Sequence, residues 1–183
     1  MDAIASLPND EIILLPNNKN VILAAQQAAS IAVGRTVIIV PSVSVPQGVA
    51  AMLEYDNVRA TDELAPASEL VEAMQGVLRH VVTGEITTAV RDAESDHVRA
   101  GQFIGLLNDD LVTAGDRLPD VARDLLERAD APSYERITLY YGEGVNIREA
   151  KSLADEMQAA FPEQIFELID GGQPLYPYII SVE

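Results

Sequence analysis

Short β-branched runs alternate along the chain with longer stretches whose apolar residues recur every three or four positions, which predicts strands alternating with helices. Glu11 to Leu15 reads as a strand, closed by Pro16-Asn17-Asn18-Lys19-Asn20. A helix is expected from about Asn20 to Ala32. It is apolar nearly all round (Val21, Ile22, Leu23, Ala24, Ala25, Ala28, Ala29, Ile31), a pattern suited to a helix with little solvent exposure. Gly34 stands where a C-terminal cap belongs. Arg35 to Val40 is a second strand, apolar on both faces, as expected of a parallel strand covered on both sides. These elements make a βαβ unit with an expected right-handed crossover. Pro41 to Gly48 forms the next loop, Val49 to Glu54 begins another helix, and the polar stretch Asp56 to Pro66 reads as a connection. Ser68 to Val82 places Leu70, Val71, Met74, Val77, Leu78 and Val81 on one helical face, with Gly84 as its stop.

The second half changes character. Glu85 to Arg91, Gln102 to Leu107 and Leu111 to Ala114 read as strands, and Asn108-Asp109-Asp110 signals a hairpin turn between the last two. A helix follows from Pro119 to Ala129, then a strand from Ile137 to Tyr141. Asn146 to Ala160 is a helix whose Ile147, Ala150, Ala154 and Met157 lead to Phe161, with Asn146 and Glu149 placed for a capping box. Strands from Gln164 to Ile169 and Tyr176 to Val182 close the chain. The predicted fold is α/β: a βαβ subdomain with a parallel sheet over 1–60, a connecting segment with an amphipathic helix over 61–84, and an acidic, mixed α+β subdomain over 85–183. That last part carries antiparallel hairpin strands and a further βαβ unit.

Charge sharpens this division. The 183 residues carry 12 basic and 29 acidic side chains, a net charge of −17. Residues 1–60 hold three basic and five acidic side chains; the remaining nine and twenty-four fall after residue 60. A surface this acidic repels phosphate backbones and anionic lipid, which argues against nucleic acid and membrane insertion. No stretch of about 18 uninterrupted apolar residues is present, and the N-terminus lacks the basic region of a secretory signal. A cytoplasmic protein is expected. With no cysteine, disulfides, thiol nucleophiles and thiolate metal sites are excluded.

Ligands of open α/β sheets bind at the carboxyl ends of the strands. Here that end gathers Asn17, Asn18, Lys19, Asn20, Ser42, Ser44 and Gln47. None is a good general base, so binding is a better reading than catalysis; helix capping by the asparagines is the bland alternative. The stretch Tyr141-Gly142-Glu143-Gly144-Val145-Asn146-Ile147 starts like a dinucleotide fingerprint. It has Ile147 where the third glycine belongs and Glu143 where pyrophosphate would lie, so it reads as a strand-to-helix turn. Asp92, Glu94 and Asp96 alternate as in a calcium loop but lack its glycine and final glutamate, and read as a solvated loop. His80 and His97, the only histidines, fall in different elements. The C-terminal stretch Asp170-Gly171-Gly172-Gln173-Pro174-Leu175-Tyr176-Pro177-Tyr178 concentrates turn formers with two tyrosines. It offers either a turn between two strands or a recognition surface anchored by the tyrosines.

Five motifs occur in order: Pro16-Asn17-Asn18-Lys19-Asn20; Pro46-Gln47-Gly48; Thr83-Gly84-Glu85 running to Val90-Arg91-Asp92; Phe103-Ile104-Gly105; and Asp170 to Glu183. Together they resemble the C-terminal region of the large, ATP-dependent subunit of bacterial fatty acid kinase, a dihydroxyacetone kinase-like family, over essentially the whole chain from Asn9. The resemblance implies a longer protein, with an N-terminal kinase domain whose aspartates hold magnesium and ATP, then a middle domain, then this region. It implies a separate DegV-like protein that presents the fatty acid for conversion to an acyl phosphate. For this chain it implies a non-catalytic docking module for that acyl carrier and for its own kinase and middle domains. No cofactor is expected here, ATP and Mg belonging to the kinase domain, and no metal. The candidate ligand- or partner-binding residues are Asn17, Asn18, Lys19, Asn20, Gln47, Arg91, Gly171, Gly172, Gln173, Tyr176 and Tyr178. A stand-alone small-molecule-binding or enzymatic domain using loops 16–20 and 41–48, and a structural module forming a homodimer, are the alternatives.

Overall fold

The computed structural model describes residues 2–93 and 98–183. The chain divides into two compact units, Met1–Val81 and Val82–Glu183.

The first unit contains α1 (Asp2–Ser6), β1 (Glu11–Leu14), α2 (Ile22–Ser30), β2 (Thr36–Ile39), α3 (Val45–Thr61) and α4 (Ala67–Leu78). β1 and β2 pair in parallel, Glu11 opposite Thr36 and Leu14 opposite Ile39, as the βαβ pattern predicts. One face of the pair packs Ile13, Leu15, Ile38 and Val40 against Ala51 and Tyr55 of α3 and Val71, Met74 and Leu78 of α4.

Three expectations are corrected here. The helix after the Pro41 loop is longer than its apolar pattern. Ser44 accepts the Gln47 N–H as N-cap, Pro46 sits in the first turn, where a missing N–H costs nothing, and the polar residues after 55 form further turns of the same helix. The stretch expected to be a connection from 56 is therefore helical to Thr61. The helix expected to reach Val82 ends at Leu78, and Gly84 is not its stop but lies inside a strand. Finally, α2 is not shielded from solvent. Its one fully buried residue is Ala25, whereas Leu23 is 66% and Ile31 62% exposed.

The second unit contains β3 (Val82–Thr88), β4 (Phe103–Leu107), β5 (Asp110–Gly115), α5 (Leu118–Arg128), a 3-10 turn (Ala131–Ser133), β6 (Arg136–Tyr141), α6 (Ile147–Ala160), β7 (Ile165–Asp170) and β8 (Tyr178–Val182). Among the described residues the strands form one six-stranded sheet in the order β5-β4-β3-β8-β6-β7. β6 and β7 are parallel, joined by α6 as a second βαβ unit. β8, the last strand, inserts antiparallel between β3 and β6, and all five of its residues are buried. The β4–β5 hairpin turns on Asn108 and Asp109, with φ of 51° and 75°, as a two-residue turn with both central residues left-handed requires. Ile86, Ile137, Leu139, Tyr178, Ile180 and Val182 of the sheet pack with Val121, Leu125 and Leu126 of α5 and Ala150, Leu153 and Met157 of α6. Gly84 belongs in this sheet because a Cβ there would stand 3.1 Å from Leu125 Cδ2, so the glycine lets α5 lie close.

Candidate functional site

Each βαβ unit ends its parallel strands in a pair of loops, and the sequence candidates cluster on those loops. In the first unit the loop after β1 meets the loop after β2. Asn17 takes up a left-handed conformation (φ 53°), which asparagine tolerates better than most residues. Its N–H donates to Ser42 Oγ at 3.0 Å, and the Ser42 hydroxyl donates to Asn17 Oδ1 at 2.6 Å. Ser42 is fully buried. Gly48 leaves the room for this, since a Cβ there would collide with the Asn17 amide. Gln47 is committed as well. Its Oε1 accepts the Val43 N–H at 2.8 Å, and its Nε2 donates to the Leu78 carbonyl at 3.1 Å. Asn18 Oδ1 accepts the Asn20 N–H at 2.8 Å. The structure thus brings Asn17, Asn18, Asn20 and Gln47 to one end of the strands, with Asn17 tying loop to loop and Gln47 tying the second loop to the end of α4. Asn18, Lys19 and Asn20 form the exposed rim.

The second unit repeats the arrangement with different chemistry. The loop after β7, residues 171–177, folds back over the loop after β6. Gln173 Nε2 donates to the carbonyls of Tyr140 (2.9 Å) and Tyr176 (3.1 Å), and its own carbonyl accepts the Glu143 N–H at 3.0 Å. Gly142 N–H donates to the Pro177 carbonyl, and Gly171 N–H to the Tyr141 carbonyl. A Cβ on Gly142 would sit 2.6 Å from the Tyr176 carbonyl oxygen and 2.7 Å from that of Gln173. Gly142, which opens the Gly-x-Gly turn, is therefore there for the chain's own tail. Gly171 is held as closely by Gln173 Oε1, and Gly172 has a φ of 60°.

The two tyrosines of this tail part company. Tyr178 is 2% exposed and belongs to the core, so it offers no surface; its pairing with Tyr176 as an exposed anchor is corrected. Burial, followed by the charge of Glu149, pushes its hydroxyl up to about 12. Tyr176 is half-buried. Burial raises its pKa most, then the charges of Glu85 and Asp109 and a hydrogen bond to Glu85. Tyr140 is raised by burial and by Glu183 and Glu167; Tyr141 by burial and by its hydrogen bond to Asp170. The tail thus presents neutral phenols among carboxylates. Such a surface can donate and accept hydrogen bonds and stack on a partner, and none of its phenols is poised to ionise as a nucleophile.

Glu85 is the member that sequence reasoning missed. Its signal was a carboxylate in a strand, on the polar face it shares with Thr83 and Thr87, opposite Val82, Gly84 and Ile86. Arg91 is exposed just beyond β3 and belongs to neither loop pair. Asp92 Oδ1 accepts the Ala100 N–H at 2.7 Å; Glu94, Asp96 and His97 lie outside the described residues. Among the described residues no group of three or more His, Asp or Glu stands close enough to hold a metal ion, and no helix is long and apolar enough to cross a membrane.

Comparison with known proteins agrees with this fold. The family of FakA-like fatty acid kinase C-terminal regions matches residues 1–183. Protein YloV of Bacillus subtilis is 35% identical over 185 residues, which takes in 100% of this chain and 32% of that protein. An uncharacterized protein of Staphylococcus saprophyticus is 36% identical over 174 residues, 93% of this chain and 30% of its own length. The chain therefore spans about a third of the curated relatives it matches. Among solved structures, the Streptococcus pneumoniae fatty acid kinase B3 protein loaded with linoleic acid superposes with a TM-score of 0.70 at 14% identity, over 100% of this chain and 75% of that one. The dihydroxyacetone kinase of C. freundii, in complex with AMP-PNP and Mg2+, does so with a TM-score of 0.64 at 11% identity, over 99% and 40%. These two likenesses establish a shared fold.

Proposed function

The chain belongs to the FakA-like C-terminal family of fatty acid kinases, and on that premise we propose that it is a non-catalytic module of a cytoplasmic kinase which docks a DegV-like acyl carrier. Phosphoryl transfer belongs, in this reading, to a kinase domain elsewhere in the longer protein, and the module also contacts that domain and the middle one. The match of the whole chain to a family of kinase C-terminal regions, at about a third of its relatives' length, carries the proposal. The surface assigned to docking is the tail that wraps Gly142, with the half-buried Tyr176 as its aromatic.

Calorimetric titration of the chain with a DegV-like fatty-acid-binding protein from the same organism tests it. Saturable binding is expected, weakened by about 1–2 kcal/mol in Tyr176→Ala, the scale of an interface anchor. Absence of binding overturns docking, and unchanged affinity in Tyr176→Ala moves the surface elsewhere.

A groove of about 610 Å³ in the first unit favours a second reading, in which the chain itself takes up an acyl chain. Ile13, Leu15, Met52, Leu70 and Met74 line it, with Arg59 stacked on Tyr55 at 5.5 Å. Titration with oleate, and its loss in Met52→Trp, a lining position that is 46% exposed, would support this reading; no uptake ends it.

A further inference from the structure

The groove of the first unit has an apolar wall and a charged rim. Ile13, Leu15, Met52 and Met74 supply the wall, and Asp10 and Glu11, both exposed, belong to the same lining. The acidic side chains of this unit fall on either side of one long gap. Residues 12–53 contain none, whereas residues 54–72 contain six, with Arg59 as their one cation. Arg59 also lines the groove, and its guanidinium is already engaged. Its Nη1 donates to the Glu63 carbonyl at 2.7 Å and to the Ala65 carbonyl at 2.9 Å, and its Nε to the Tyr55 hydroxyl at 3.4 Å. These bonds, with its stacking on Tyr55, hold it to the connection between α3 and α4. Carboxylates outnumber this one cation, so the potential over the groove is negative.

We propose that the groove takes a cationic amphiphile, an aliphatic chain ending in a protonated amine, in preference to a fatty-acid carboxylate. This rests on the reading that the groove takes up an aliphatic chain, and a volume of about 610 Å³ is that of a small-ligand site. Burial of methylenes against the apolar wall favours any two chains of equal length alike, so the head group decides between them. An ammonium head at the rim donates to the Asp10 and Glu11 carboxylates, and hydrogen bonds between ionised partners are the stronger kind. A carboxylate head at the same place meets two like charges and has no proton to offer either.

Calorimetric titration of the full chain at neutral pH, below micelle-forming concentrations, compares dodecylammonium with dodecanoate. Dodecylammonium should bind about tenfold or more tightly. Asp10→Asn combined with Glu11→Gln, at two exposed positions, should bring the two affinities to within about threefold of each other. Added salt should narrow the same gap in the parent by screening the rim. Met52→Trp, which fills the groove, should abolish binding of both. Dodecanoate bound as tightly as dodecylammonium, or a preference unchanged in the double variant, overturns the proposal while leaving chain uptake standing. Dodecylammonium binding that survives Met52→Trp belongs to the acidic surface at large and overturns it too. Binding of neither ligand ends both the head-group preference and the uptake of a chain.

Discussion

The chain builds the βαβ motif twice, and the two copies treat their helices in opposite ways. In β6-α6-β7 the helix buries Ala150, Leu153 and Met157 and turns Arg148, Glu149, Lys151 and Asp155 outward, with Asn146 Oδ1 accepting the Arg148 N–H as its cap. In β1-α2-β2 the helix is richer in apolar residues, buries Ala25, carries no charge, and starts at Val21 with no side-chain cap. The difference lies in what surrounds each motif. The second unit sets its parallel pair in a sheet of six strands, whereas the first has two strands with α3 and α4 on one face. Apolar content alone does not bury a helix; it needs enough neighbouring structure to be buried against. The loops invert the contrast, since both motifs knit the same two loops together, by Ser42 on Asn17 in one and by Gln173 on Tyr140 and Glu143 in the other.

The sharpest way to break this comparison is to truncate one leucine in each helix. Leu153→Ala on α6 empties a site that is 3% exposed and should cost about 2–5 kcal/mol. Leu23→Ala on α2 removes a side chain already in water and should change stability by no more than about 0.5 kcal/mol. Urea denaturation of dilute protein measures both. Similar losses would mean that α2 is as firmly held as α6.

A smaller effect should come from the loops. In Gly142→Ala the new methyl meets two backbone carbonyls, which cannot swing away as a side chain can. A loss of about 1–3 kcal/mol is expected, with faster amide exchange across residues 171–177. Ser42→Ala strips Asn17 of a buried hydroxyl partner and should cost about 1–2 kcal/mol, with faster exchange at Asn17. If Gly142→Ala leaves the tail protected, the tail is held by contacts other than those at Gly142.

Much of this was legible in the sequence where a pattern had a direction. α6 shows polar residues on one side and apolar on the other, so its buried face could be read, and Asn108-Asp109 specified its own turn. α2 has apolar residues on every side, so its periodicity pointed nowhere and its exposure could not be seen. Gly84 was misread because a glycine after a helical pattern is commonly a stop, while its real reason is the approach of Leu125, 41 positions later in the chain. The candidate loops followed from βαβ topology. Their internal bonds did not, because Asn17–Ser42 and Tyr140–Gln173 join residues 25 and 33 positions apart. Tyr176 and Tyr178 looked equivalent because residues two apart share one face of a strand; the strand begins only at Tyr178, which leaves Tyr176 in the loop before it.

The smallest expected effect is silent at neutral pH and concerns the unit that holds Tyr134, Tyr140, Tyr141, Tyr176 and Tyr178, five of the chain's six tyrosines. Tyr178, buried and facing the charge of Glu149, ionises near 12 in the folded chain against 10.0 for an ordinary tyrosine. Between those values the unfolded chain loses this proton and the folded chain keeps it. Its contribution is therefore fully present below pH 10 and is lost as pH rises toward 12. Urea midpoints of the second unit should fall across that window, and Tyr178→Phe should flatten the fall while leaving the midpoint at pH 7 within about 1 kcal/mol of the parent. An equally steep fall in Tyr178→Phe would assign the alkaline sensitivity to the tyrosines at the sheet's carboxyl edge, and so to the loop pair rather than to the core beneath it.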